Sequence, residues 1–153
     1  MELIRFKHAR FSTRLPADYL YSPSHYWMAK DPQQENLWRV GFTKFATRML
    51  GELVEAEFET KVGAPVEPGQ QLGWVEGFKA ASDVFCTLNG TFQGGNPILD
   101  QDACIVRSSP YEDGWLYSVQ GTPEPGTMDV QGYIDLLNKT ITKMQEDPQY
   151  AQD

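Results

Sequence analysis

Two short runs rich in strand-forming residues, Gly69-Gln70-Gln71-Leu72-Gly73-Trp74-Val75 and Val84-Phe85-Cys86-Thr87-Leu88, flank the segment Glu76-Gly77-Phe78-Lys79-Ala80-Ala81-Ser82-Asp83. Their aromatic and β-branched content reads as a pair of strands. Lys79 then falls at or near a hairpin tip. A primary amine held on a tight turn, with no carboxylate paired to it, is what an acylating enzyme needs to reach. Glu76 and Asp83 bracket the turn and either guide such an enzyme or solvate the tip, and Gly77 permits a bend that most residues resist. A lysine chosen at random is a solvated surface residue, so the turn alone leaves both readings open.

The rest of the chain supplies many short strands and two helices. Thr43-Lys44-Phe45-Ala46-Thr47-Arg48-Met49-Leu50-Gly51 predicts a short helix with Thr43 as its N-cap and Gly51 as a left-handed stop, with Phe45, Met49 and Leu50 facing inward. Glu52 to Phe58 alternates as a half-buried strand, and Val62 to Gly69 is dense in turn formers. Asn89-Gly90 reads as a tight turn. After the break at Pro123-Glu124-Pro125-Gly126, the spacing of Val130, Ile134, Leu137, Ile141 and Met144 predicts an amphipathic helix from Asp129 to about Glu146, its apolar stripe packed on the core. The first 20 residues carry Arg5, Lys7, His8, Arg10 and Arg14 against only Glu2 and Asp18. They are expected to lie over the domain surface, anchored by Leu3, Ile4 and Phe6, with docking of a partner as the alternative.

A chain of 153 residues has room for one domain with a real core. The expected division is an N-terminal extension over 1–20, a central domain over 21–127, and a C-terminal helix and tail over 128–153 packed on that domain. With 21 acidic against 13 basic residues, a formal charge of -8 repels a phosphate backbone and excludes nucleic acid as a natural partner. No apolar run reaches the length of a membrane span and the first residues lack a secretory signal, so a cytoplasmic, monomeric protein without membrane contact is expected. Cys86 and Cys104 lie in no CxxC pattern, and with only His8 and His25 to join them no metal site is expected. No nucleophile motif or phosphate loop marks the chain as an enzyme.

Four ordered blocks resemble the H protein of the glycine cleavage system. They are Tyr21-Ser22-Pro23-Ser24-His25-Tyr26-Trp27, Val40-Gly41-Phe42-Thr43-Lys44-Phe45-Ala46 continuing through Leu50-Gly51-Glu52-Leu53-Val54, Val75 through Asp83, and Ser109-Pro110-Tyr111-Glu112-Asp113-Gly114-Trp115. The resemblance implies a mainly β fold, a lipoyl-type barrel-sandwich hybrid of two antiparallel sheets with a short internal helix and a C-terminal helix. It further implies lipoate covalently attached to Lys79, with Glu76, Gly77, Ser82 and Asp83 around the attachment point. Biotinyl carriers usually set their lysine between methionines, whereas Phe78 and Ala80 flank this one. The protein would be a carrier and co-substrate rather than an enzyme. Its partners would be a lipoate ligase or the lipoyl synthase system, and dihydrolipoyl dehydrogenase.

The chain departs from that family at Tyr26, where glycine-cleavage H proteins typically have a glutamate after the histidine. In those relatives this glutamate, a nearby serine and the aspartate matching Asp83 help hold a loaded arm that carries an ammonium. A neutral phenol cannot replace that charge, although Ser24 and Asp83 remain. Tyr26 is equally well read as an aromatic packing residue. Cys86 follows the lysine hairpin, and Cys104 stands where H proteins tend to have a polar residue. Both are ordinarily small buried hydrophobes, but a thiol of lowered pKa within reach of a dithiolane would exchange with it. Ser24, His25, Tyr26, Cys86 and Cys104 are therefore candidate contacts of the arm.

Together these departures are similar to H-like lipoate-binding proteins that work with the heterodisulfide-reductase-like complex of cytoplasmic sulfur oxidation. On that resemblance the expected cargo is a sulfur intermediate. The alternatives are a glycine-cleavage H protein carrying aminomethyl groups, a lipoyl relay protein, and an unmodified binding module.

Overall fold

The computed structural model describes residues 1–147. An N-terminal hairpin pairs β1 (Leu3–His8) with β2 (Phe11–Pro16) in register from Leu3 opposite Pro16 to His8 opposite Phe11. The chain then runs through β3 (Leu20–Tyr21), β4 (Tyr26–Lys30), β5 (Leu37–Phe42) and helix α1 (Lys44–Leu50). Next come β6 (Leu53–Phe58), β7 (Pro65–Val66), β8 (Gln71–Gly77), β9 (Ala81–Phe85) and β10 (Leu88–Gly95), followed by a 3-10 turn and the short α2 (Ile105–Ser108). Strand β11 (Tyr117–Pro123) precedes the long helix α3 (Val130–Glu146).

Two larger antiparallel sheets form the body, one in the order β3-β4-β5-β11-β10-β7 and one in the order β6-β8-β9. This is the expected mainly β architecture. Between the sheets lies a core that includes Met28, Val40, Leu72, Val75, Val84 and Leu88, all fully buried. These residues come from the inward side of each strand, which is why their strands read as alternating or short apolar runs.

A second core joins the N-terminal hairpin to α3. Phe6, Phe11 and Leu15 from the hairpin meet Trp27 of β4, Phe45 of α1, and Tyr133, Leu137 and Ile141 of α3. Phe11 sits edge-on against Phe45 with ring centroids 5.5 Å apart, and the His8 Nδ1 lies 2.9 Å from the Asn138 Oδ1. The first residues are thus a packed hairpin anchored by Phe6, as expected, and by Phe11 and Leu15. Leu3, expected as an anchor, is exposed.

Helix α3 follows the predicted stripe, and the Asp129 carboxylate caps it by accepting the Gly132 N–H at 2.9 Å. The tail beyond Asp147 lies outside the described residues. The structure corrects the reading of Asn89-Gly90. Strand β10 runs straight through this pair, with Gly90 between Gly121 of β11 and Val66 of β7. A Cβ at Gly90 would collide with the Gln120 carbonyl, so the glycine serves close strand approach rather than a turn.

Because Phe11 is buried against two other elements, Phe11→Ala should cost about 3–5 kcal/mol, read as a lowered denaturant midpoint. The two-sheet body should keep its strand signal in the same variant under native conditions.

Candidate functional site

Lys79 occupies the connection between β8 and β9, where the chain turns after Gly77 and resumes at Ala81. The turn is held less by itself than by the end of α1. The Lys79 and Ala80 N–H groups donate to the Leu50 carbonyl at 3.0 and 3.3 Å, and the Phe78 N–H donates to the Glu52 carbonyl at 3.0 Å. Within the turn, the Gly77 N–H donates to the Ala80 carbonyl at 2.9 Å. A helix ends with carbonyls that lack intrahelical donors, and here the lysine turn supplies two of the missing N–H groups to one of them.

Two glycines clear the space this docking needs. Gly51 has φ +75°, and a Cβ there would stand 2.9 Å from Lys79 Cγ. A Cβ on Gly77 would be driven into the Leu50 carbonyl oxygen. The sequence marked Gly51 as a helix stop, and that it is, but its second duty as the seat of the lysine stem was not legible. Lys79 itself is exposed, its Nζ 3.4 Å from the Arg48 carbonyl oxygen. Phe78 beside it is 78% exposed, an apolar ring left in water at the tip. A backbone cleared by two glycines and an outward-reaching amine fit a covalently attached lipoyl group.

The other expected residues fall into three settings. Glu76, Ser82 and Asp83 line the strands of the hairpin. Glu76 is exposed opposite Ala81, the Ser82 hydroxyl donates to the Asp83 carbonyl at 2.9 Å, and the Asp83 carboxylate accepts from Gln71 Nε2 at 3.0 Å. Tyr26 is buried, stacked on Phe42, and its hydroxyl accepts the Phe85 N–H at 3.0 Å. Burial, with a smaller contribution from Asp83, pushes its phenol up to about 12, so the ring is neutral near pH 7.

Ser24 and His25 turn elsewhere. The Ser24 hydroxyl is 2.7 Å from that of Ser22, which donates to Glu124. His25, with φ +71°, directs its Nδ1 to the Tyr133 hydroxyl at 2.8 Å, and that hydroxyl also meets Thr43 Oγ1 at 2.7 Å. Thr43 stands at the expected N-cap position, yet its hydroxyl serves this network instead of capping α1. Burial lowers the His25 pKa to about 4, so the imidazole is neutral.

Neither cysteine has the lowered pKa that thiol exchange requires. Cys86 is buried, its thiol donating to the Leu88 carbonyl at 3.1 Å, and burial pushes its pKa up. Cys104 is exposed near the base of the lysine turn, and its hydrogen bond to the Glu52 carboxylate raises its pKa. Thiol is favoured over thiolate in both. Met49, expected inward, is 45% exposed on the side of α1 that faces Lys79. Sequence periodicity places it on the apolar face, but the hairpin and α3 diverge there and leave a groove.

Two outcomes follow from this geometry. Gly51→Ala and Gly77→Ala should slow loading of Lys79 by a lipoate ligase, followed by intact mass over time, while the two-sheet core remains folded. Since His25 is neutral when folded and protonates near its ordinary value of 6.5 when unfolded, its contribution is intact above 6.5 and is lost as pH falls toward about 4. Denaturant midpoints measured across that window should decline, and His25→Asn, which tolerates the positive φ, should flatten the decline.

The Glycine cleavage H-protein family model matches residues 19–144. The glycine cleavage system H protein of Corynebacterium jeikeium is 36% identical over 122 residues, spanning 79% of this chain and 95% of that protein. Its counterpart in Pseudoalteromonas atlantica is 33% identical over 130 residues, spanning 83% and 98%. The crystal structure of a glycine cleavage system H protein from Mycobacterium marinum superposes with a TM-score of 0.69 at 32% identity, covering 79% of this chain and 97% of that one. Matched by the family model over residues 19–144 and by these proteins over most of its length, the chain belongs to the glycine cleavage H-protein family.

Proposed function

We propose that this protein is a lipoyl carrier that takes lipoate in amide linkage on Lys79 and presents it in turn to the enzymes of a multienzyme cycle. Proteins of this family are carriers without catalytic activity of their own and bear lipoate on a lysine. The observation that carries the assignment to Lys79 is the exposed side chain on a turn fixed by two backbone hydrogen bonds to Leu50 at the end of α1 and a third to Glu52 just beyond it. When bound, lipoate supplies a redox-active dithiolane on a flexible tether. The residues of this chain orient the attachment point, keep it clear of backbone, and dock partners. Partners on this reading include a lipoate ligase and dihydrolipoyl dehydrogenase. Among the described residues, no helix is long and apolar enough to cross a membrane.

The cargo best supported by the relatives is the aminomethyl group, since those compared above are glycine cleavage system H proteins. This favours the alternative over the sulfur branch that the departures in sequence suggested. One observation keeps the sulfur reading as a second possibility. Tyr26 fills the position expected to hold an ammonium-binding carboxylate, and its hydroxyl is occupied by the Phe85 N–H. Under that second reading the docking enzyme would be a heterodisulfide-reductase-like complex.

Intact mass of protein from its native host should show a lipoyl-sized increment that disappears in Lys79→Arg, and an increment retained in that variant would relocate the modification. Exchange of glycine with bicarbonate, catalysed by the glycine decarboxylase with the lipoylated chain as carrier, distinguishes the cargoes. Tyr26→Glu should raise the exchange above that of the native chain. Equal, full exchange by both removes the motive for the sulfur reading.

A further inference from the structure

We propose that a basic groove between the N-terminal hairpin, the start of α1 and the end of α2 docks an aspartate- and glutamate-rich face of an enzyme that works on the arm, which rests on Lys79 being the lipoyl site. The groove has a volume of about 880 Å³, and five of the 13 lysines and arginines of the chain line it, namely Arg5, Lys7, Arg14, Lys44 and Arg107. No carboxylate lines it among the described residues, in a chain where 21 acidic residues outnumber the basic ones. Arg5 stands directly opposite Arg14 across the β1–β2 pair. Like charges so placed weaken a strand pair, and a bound carboxylate would relieve them. Lysine and arginine on a two-stranded hairpin also discourage edge pairing with other chains. That purpose is served as well by mixed charges and needs nothing from the helices, whereas Lys44 of α1 and Arg107 of α2 bring the same sign to the same groove.

The elements that carry these cations are tied together at one phenol. The Tyr111 hydroxyl accepts the Lys44 N–H at 3.0 Å and lies 3.4 Å from Thr13 Oγ1, so it joins the hairpin, α1 and the loop after α2. All five cationic side chains are exposed. Exposed charges of one sign speed and orient the encounter with a surface of the other sign, whereas a small-molecule site encloses most of its ligand. The position also suits a carrier. Lys44 opens α1 and Leu50, whose carbonyl holds the lysine turn, closes it, and these seven residues of helix span about 10 Å. An enzyme gripping the groove therefore leaves Lys79 uncovered, one short helix away. The hairpin that supplies Arg5, Lys7 and Arg14 lies outside residues 19–144, the part matched to the family. This grip is an addition of the present chain.

The test uses the full chain as substrate for three enzymes of its native host. The lipoate ligase receives the unmodified chain, and the glycine decarboxylase and dihydrolipoyl dehydrogenase receive the chain lipoylated on Lys79 and checked by intact mass. Arg5→Glu with Arg14→Glu should raise KM for at least one of them about tenfold or more at low ionic strength, with kcat kept and the difference lost in high salt. Lys44→Gln with Arg107→Gln, which leaves the hairpin untouched, should raise the same KM. Arg5→Glu alone sets a carboxylate opposite Arg14, so it should raise the denaturant midpoint while still raising that KM, a combination that a merely structural role would not give. Amide NMR of the full chain with a hexaglutamate peptide, at an ionic strength of about 0.15 M, should shift Ser12, Lys44 and Arg107. Inorganic triphosphate and a short DNA duplex should bind there more weakly. A KM unchanged in every variant for all three enzymes, or tighter binding of triphosphate or duplex than of hexaglutamate, overturns the docking surface and leaves the carrier reading intact. A chain that accepts no lipoyl group on Lys79 overturns both.

Discussion

A helix that stops in the middle of a protein leaves carbonyl oxygens in need of donors, and in this molecule the Leu50 carbonyl finds them in the backbone of the lysine turn. Each side of that arrangement depends on the other. Without the turn, the end of α1 would have to find water or another cap. Without α1, the three residues between β8 and β9 would be an ordinary loop with a mobile lysine. The positive φ at Gly51 and the bare Cα of Gly77 are the local conditions that let two backbones come this close. A modifying enzyme therefore meets an amine whose root is fixed even though its tip is free.

A second set of polar contacts holds the surroundings of that root. The Tyr133 hydroxyl, delivered by α3, lies between the His25 imidazole and the Thr43 hydroxyl. These two residues sit at the start of β4 and immediately before α1, so one phenol gathers three elements. Such a network stays neutral because burial holds His25 well below its ordinary pKa, and a proton forced onto it would be a buried charge with no carboxylate in hand. His25, one of the five candidate arm contacts, commits its Nδ1 to this network, and burial keeps its imidazole uncharged.

Much of this was readable in advance where the signal is local. The lysine turn, the stop at Gly51 and the amphipathic stripe from Val130 to Met144 each follow from residue types at fixed spacing. The N-terminal hairpin was not, because its pairing depends on Phe6, Phe11 and Leu15 finding a helix more than a hundred residues away. Asn89-Gly90 misled for a related reason. The same dipeptide serves a tight turn or a close pass between strands, and only the neighbouring strand, with Gly121 opposite, decides which. Tyr133 escaped attention since an aromatic on an apolar stripe reveals nothing about where its hydroxyl goes. Met49 was assigned inward from periodicity, which cannot know that the facing elements part and leave it beside open space.

Helix α1 is shared between the two cores: Leu50 packs with the sheets while Phe45 packs with the hairpin and α3. The lysine turn hangs from its last residues. A long tether is useful only if the point about which it swings is known, since uncertainty at the pivot is magnified at the far end. By fastening that pivot to a strut embedded in both halves of the molecule, the fold gives the tether a constant centre of rotation. Enzymes of unrelated shape can then be met at one radius.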